Sequence, residues 1–211
     1  MIRVSADWIL PIADVPIGGG AVTLDGGRIV SVAPRDGSED AALGRVAVLP
    51  GLVNAHTHLE LSYLHHRIPP APGFLEWVRP MLAARAERAG IDETAILDAA
   101  RQAIRYARAT GTSLLGDVTN TLATVPLLRE AQMPACVFHE LLGFSGQNVD
   151  AQVGSARMAI DALTSGEDLR LSLAPHAPYS VAPALFSAIR RDLDEHTPMV
   201  STVHLGESTE E

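Results

Sequence analysis

Lysine is absent from the 211 residues; all 16 basic side chains are arginine. Any chemistry that needs a lysine amine is therefore excluded within this chain. A single cysteine, Cys136, rules out an intrachain disulfide. No apolar run approaches the roughly 20 residues needed to span a bilayer. The opening "MIRVSADWIL" lacks the basic stretch and apolar core of a secretory leader. Positive charge is also in deficit. The net charge of -9 repels phosphate backbones and argues against nucleic-acid binding. A soluble, cytoplasmic protein with no membrane partner is the expectation. Hydrophobic residues make up 47% of the chain, enough for a substantial core.

The first 50 residues read differently from the rest. Short β-type runs, "DWILPIADVPI", "GAVTLDGGRIVSVAP" and "GRVAVLP", are punctuated by Gly-Gly, Asp-Gly and Pro. The Asp-Gly in "LDGGRIV" marks a tight hairpin. From about residue 46, apolar runs alternate with helical patterns. The runs are "VAVLPGLVNA", "SLLGDVT", "PACVFHELLG", "LRLSLAPHA" and "PMVSTVHL". Between them, apolar residues recur with a helical period at Phe74–Leu82, at Ile96–Ala107 after Asp92, and at Val153–Leu163. Pro183 opens a fourth helix. Alternating strands and helices predict a parallel α/β sheet, either doubly wound or a barrel. The predicted division is a small β domain over 1–49 and a larger α/β domain over 50–211.

Histidine decides between the two architectures. His56 and His58 close the first strand of the larger domain, His139 lies in the third, His176 closes the fourth and His204 closes the fifth. In a (β/α) barrel the C-terminal rim of the strands is where active sites are built. Residues i and i+2 of a strand point to the same side. His56 and His58 can therefore aim two imidazoles at one point, and His204 offers a third. Three imidazoles with an open position suit a catalytic divalent metal. By contrast, His65 and His66 precede a proline-rich loop and read as solvated, and His196 ends a helix.

"PGLVNAHTHLELS", "APHAPYS" and "VHLGES" resemble the amidohydrolase superfamily, and more narrowly its chlorohydrolase and aminopurine deaminase branch. The segment "GFLEWVRPML" is similar to that branch's Glu-Trp segment. The resemblance implies a (β/α)8-type barrel, with about five βα units present here, and half of a small flanking β domain. It implies His56, His58 and His204 as metal ligands, and Glu207 as proton shuttle. His176 becomes a catalytic and substrate contact, and Glu76 a substrate contact. His139, in the third strand where some relatives place an arginine, reads as a substrate-binding pocket residue or as a core histidine. It also implies one divalent metal ion, zinc first, with iron or manganese able to use the same ligands. The expected chemistry is hydrolytic deamination of an aminopurine or related heterocycle. Hydrolysis of another ring substituent or cyclic amide, or an inactive metal-binding fragment, is the alternative. The missing lysine excludes the carbamate-bridged dinuclear site that one subset of the superfamily uses. The sixth-strand histidine and eighth-strand aspartate of the family have no counterpart here. The 211-residue chain is accordingly expected to need a C-terminal half or a second copy, and to be inactive alone.

Overall fold

Asp25-Gly26-Gly27-Arg28 forms the hairpin its residues demand. Gly26 and Gly27 have φ of 54° and 79°, the left-handed region required at both central positions of a type I′ turn. The turn joins β2 (Ile17–Asp25) to β3 (Arg28–Pro34). β1 (Ile2–Ile9) pairs antiparallel with β2, and two short strands, β4 (Ala41–Ala42) and β5 (Ala47–Val48), run parallel to β1. Ala6, Ile9 and Val22 form the core of this sheet. The unit spans Met1–Gly51, and a second spans Leu52–Glu211. The computed structural model describes residues 1–211 except 91, 164, 165, 167, 197, 198, 210 and 211.

The second unit is built on four parallel strands in sequential order: β6 (Leu52–Thr57), β7 (Thr112–Thr119), β8 (Ala135–Leu141) and β9 (Leu169–Pro175). Helices α1 (Phe74–Ala86) and α2 (Glu93–Ala109) link β6 to β7, and the short α3 (Val125–Glu130) links β7 to β8. α4 (Val149–Asp161) follows β8, and α5 (Pro183–Glu195) follows β9. α2 starts where the Asp92 carboxylate accepts a hydrogen bond from the Thr94 amide at 3.1 Å, a standard N-cap contact. Its buried stripe, Ile96, Ala100 and Ile104, follows the helical period. α5 buries Leu185, Ala188 and Ile189 in the same way.

Strand alternation sorts the sheet into two faces. Leu169, Leu171 and Leu173 join Leu115, Val137 and the helix residues in one core, while Ala174, Val118 and Phe138 cluster separately. A buried ion pair, Arg157 with Asp192, ties α4 to α5.

The structure departs from the expected five strands. Residues 199–205 carry no strand among the described residues. The segment instead runs beside β9 on two hydrogen bonds. Ser201 Oγ donates to the Leu173 carbonyl at 2.8 Å, and His204 N donates to the His176 carbonyl at 2.7 Å. A side-chain hydroxyl occupies the Leu173 carbonyl, where a ladder would place a backbone amide. α3 and the 3₁₀ helix Leu59–Leu64 were not expected; at six residues each they are too short for a periodic signal. Among the described residues no helix is long and apolar enough to cross a membrane.

Candidate metal centre

A bulge in β6 sets up the first two imidazoles. Between the pairs Asn54–Leu115 and Thr57–Asp117, β6 has one residue more than β7. The extra residue brings the Ala55 carbonyl over Gly116, so closely that a Cβ there would lie 2.2 Å from the carbonyl oxygen. Past the bulge the chain enters the 3₁₀ helix, and the Leu59 amide donates to Asp117 Oδ1 at 2.9 Å. That bond anchors the backbone next to His58. Asp117 is fully buried and also accepts from Thr124 Oγ1 at 2.6 Å. Burial pushes it up to about 7 against these two hydrogen bonds, and the Glu60 carboxylate adds to the rise.

His56, His58 and His204 converge. Their ligating atoms all lie within 4.8 Å of one another. His58 Nε2 is 3.2 Å from His56 Nε2 and 3.1 Å from His204 Nε2. His204 Nδ1 faces the His176 carbonyl at 3.1 Å, and a carbonyl can only accept. His204 therefore carries its proton on Nδ1 and presents a bare lone pair at Nε2. The His58 ring likewise hydrogen-bonds the Val118 backbone. Burial first, then the neighbouring His204 and His56 rings, push His58 down to about 4, so it is neutral near pH 7. Burial and His204 also lower His56.

Two imidazole lone pairs facing each other repel unless a cation lies between them. Zinc–nitrogen bonds of about 2.0–2.1 Å in tetrahedral array place nitrogens about 3.3–3.4 Å apart, close to the separations here. The residues fit a single divalent ion.

Beside these rings opens a cavity of about 560 Å³. One wall is apolar and aromatic: Phe74, Trp77, Val78 and Met81 of α1, with Phe144 and Tyr179. Phe74 and Trp77 have ring centroids 6.3 Å apart, and Phe74 meets Tyr179 edge-on at 6.5 Å. The other wall is polar, with His58, His204, His176, Glu140 and Glu207. A concave site with aromatic walls and a few convergent polar groups suits a small planar ligand. A larger cavity, about 750 Å³, lies along the 3₁₀ helix and α2 and is lined by none of His56, His58 and His204.

The remaining expected site residues fall as follows. His176 lines the cavity and stacks on His204, with centroids 4.7 Å apart. Its Nδ1 lies 2.6 Å from Ser180 Oγ, whose hydroxyl donates to the Ala177 carbonyl. His176 thus holds its proton on Nδ1, and burial lowers its pKa. Its Nε2 accepts a hydrogen bond while the ring is neutral.

Glu207 is exposed on the cavity wall and accepts from the Tyr179 hydroxyl at 2.5 Å. Glu76 sits on the exposed first turn of α1, its carboxylate folded back toward Gly73, and does not line this cavity. His139 is also outside it. It shares a strand face with Val137 and Leu141, and its Nδ1 lies 3.3 Å from the Thr119 carbonyl. The neighbouring Glu140, on the opposite face, enters the site instead. Glu60, Ser180 and Tyr179 complete the surroundings. Burial raises Glu60, but hydrogen bonds from Thr121, Asn120 and Thr119 and the Arg85 charge outweigh it and hold the carboxylate below its usual range.

The chain is similar to known proteins in sequence and in fold. The model of the amidohydrolase family matches residues 47–211. The chain belongs to the amidohydrolase family. An adenosine deaminase from Helicobacter pylori is 31% identical over 168 residues, covering 78% of this chain and 39% of that protein. Two solved amidohydrolase-fold chains overlay 99% of it. An aminofutalosine deaminase from Helicobacter pylori, in complex with methylthio-coformycin, gives a TM-score of 0.81 at 24% identity over 52% of its own chain. An adenosine deaminase from Xanthomonas campestris with bound zinc gives 0.76 at 23% identity over 50%. The chain spans about half the length of these proteins or less, so it shares the amidohydrolase fold over their matching part.

Proposed function

We propose that this chain carries the metal-binding part of a hydrolase that deaminates an aminopurine or related heterocycle. The convergence of three imidazoles beside an aromatic-walled cavity supports the reading most directly. The deaminase names of its relatives add to it. His56, His58 and His204 hold one divalent ion, zinc first; a neighbour of the same fold carries bound zinc. Such an ion makes water a competent nucleophile at neutral pH.

The other groups belong to the chain itself. Phe74, Trp77 and Tyr179 stack on or edge against a planar ring. His176 accepts a hydrogen bond through Nε2, orienting an amine or the attacking water. Glu207, three residues past His204, delivers a proton to the ring nitrogen beside the attacked carbon. Its hydrogen bond from Tyr179 keeps the carboxylate turned to the cavity. Glu76 and His139, expected as substrate contacts, have no such place in this reading.

Zinc titration of the 211-residue chain tests the centre. One ion per chain is expected, with His56→Ala and His204→Ala each weakening binding by at least tenfold. Wild-type affinity in both variants would sink the reading. An ammonia-release screen over aminopurine nucleosides with the whole enzyme tests the chemistry. A product formed without ammonia would point to another ring substituent.

A further inference from the structure

We propose that Glu140 is a positioning residue that fixes the ring of His204, and through it the metal centre. The proposal rests on the metal reading above. Glu140 is buried on β8, and its Oε2 accepts from Asn120 Nδ2 at 3.0 Å. Its Oε1 is buried and has no hydrogen-bond partner among the described residues. That oxygen lies 3.4 Å from His204 Nδ1, and the two side chains are only 3% and 9% exposed. A buried carboxylate oxygen without a partner is costly, so its placement calls for a physical reason.

His204 supplies one. Its Nδ1 donates to the His176 carbonyl at 3.1 Å and lies 3.4 Å from the Glu140 carboxylate, too poorly aligned for a second hydrogen bond. A carbonyl cannot donate, and a carboxylate beside Nδ1 favours a proton there, so both support the tautomer that leaves Nε2 bare. A carboxylate behind a metal-bound imidazole also raises the ring's basicity as a ligand.

The carboxylate is itself held in place. Asn120 donates to both Glu140 Oε2 and the Glu140 carbonyl, and Asn120 Oδ1 accepts from Arg85 of α1. Arg85 in turn faces Glu60 at 3.7 Å. A polar chain therefore runs from the cavity wall to the back of a metal ligand.

Glu140→Gln keeps the shape and removes the charge. Chelator competition in the 211-residue chain should show zinc binding at least tenfold weaker than wild type, the range seen when such partners are lost. In the metal-free protein, the ¹⁵N signals of the His204 ring should move, while those of His56 and His58 stay. Equal zinc affinity in wild type and variant overturns the proposal and leaves the metal centre standing. So does weaker binding with the His204 signals unmoved. A wild type that binds no zinc overturns the metal reading, and this inference with it. Glu140→Asp, which keeps the charge, should retain more affinity than the glutamine variant; the reverse order also counts against the proposal.

Discussion

Asp117 concentrates the electrostatics of the strand end. It is a carboxyl group without exposure, held by one amide and one hydroxyl, with Glu60 nearby. Its pKa in the fold, about 7, exceeds the ordinary value of 3.8. The folded chain thus holds this proton more tightly than the unfolded one. The contribution is fully favourable below about pH 4 and is lost as pH rises toward 7. At about 1.4 kcal/mol per pKa unit, the loss is on the order of a few kcal/mol. Asn at this position still accepts from Leu59 and donates to Thr124, but it cannot ionise. Asp117→Asn should therefore gain stability relative to wild type as pH rises from 4 to 8, read from urea midpoints. A constant difference across that range would show that the carboxyl does not titrate there. His58 acts in the opposite direction. Its folded value of about 4 lies below the ordinary 6.5, so its contribution is present above 6.5 and lost as pH falls toward 4. The metal-free protein should be squeezed from both sides.

At the scale of elements, the β6 bulge against Gly116 aims the first two imidazoles. No side chain fits under the Ala55 carbonyl. Gly116→Ala must push β6 away from β7, at about 1–3 kcal/mol for an overpacked site. It should weaken zinc binding as well as lower the melting temperature. A variant that loses stability but binds zinc normally would show that the bulge does not aim the histidines. Much of this architecture was legible in the sequence. The Asp25-Gly26 step announced a hairpin, whose central pair is Gly26-Gly27, and the stripes of α2 and α5 announced helices, because each rests on local chemistry. His56, His58 and His204 stood out because imidazoles at strand ends are rare without a purpose. Other features depended on tertiary partners. "VFHELLG" is apolar on both faces, so a period of two does not tell whether His139 or Glu140 faces the site. The fold selects Glu140. The fifth apolar run meets β9 through Ser201 Oγ and the His204 amide rather than through a ladder among the described residues. Glu60 reads as a neighbour of the His-x-His pair, yet its carboxylate is consumed by Thr119, Asn120 and Thr121.

In the second unit as a whole, the sheet is held at its two edges. β6 and β9 are the outer strands, and β6 exposes Leu52 and Val53 at 54% and 60%. His56 and His58 come from one edge, and His204 comes from the segment beyond the other, 146 residues from His58. Their rings meet only because the sheet curls. A cation bound there links the two edges and resists uncurling. Binding to the folded state alone stabilises by RT ln(1 + [L]/Kd), about 2.7 kcal/mol at a hundredfold excess over Kd. Zinc should therefore raise the melting temperature of wild type clearly more than that of His204→Ala; equal shifts would show that zinc acts elsewhere. Stability and turnover are separate matters. His56 and Glu207 are exposed, so solvent reaches both the centre and the proposed proton donor. Electrostatic catalysis depends on a water-excluded site, and the exposure of His56 and Glu207 leaves this one wet. The 211-residue chain should hold zinc yet release no ammonia from any aminopurine nucleoside. Turnover by the purified chain, abolished by His56→Ala, would show that the curled four-stranded sheet is a sufficient active site.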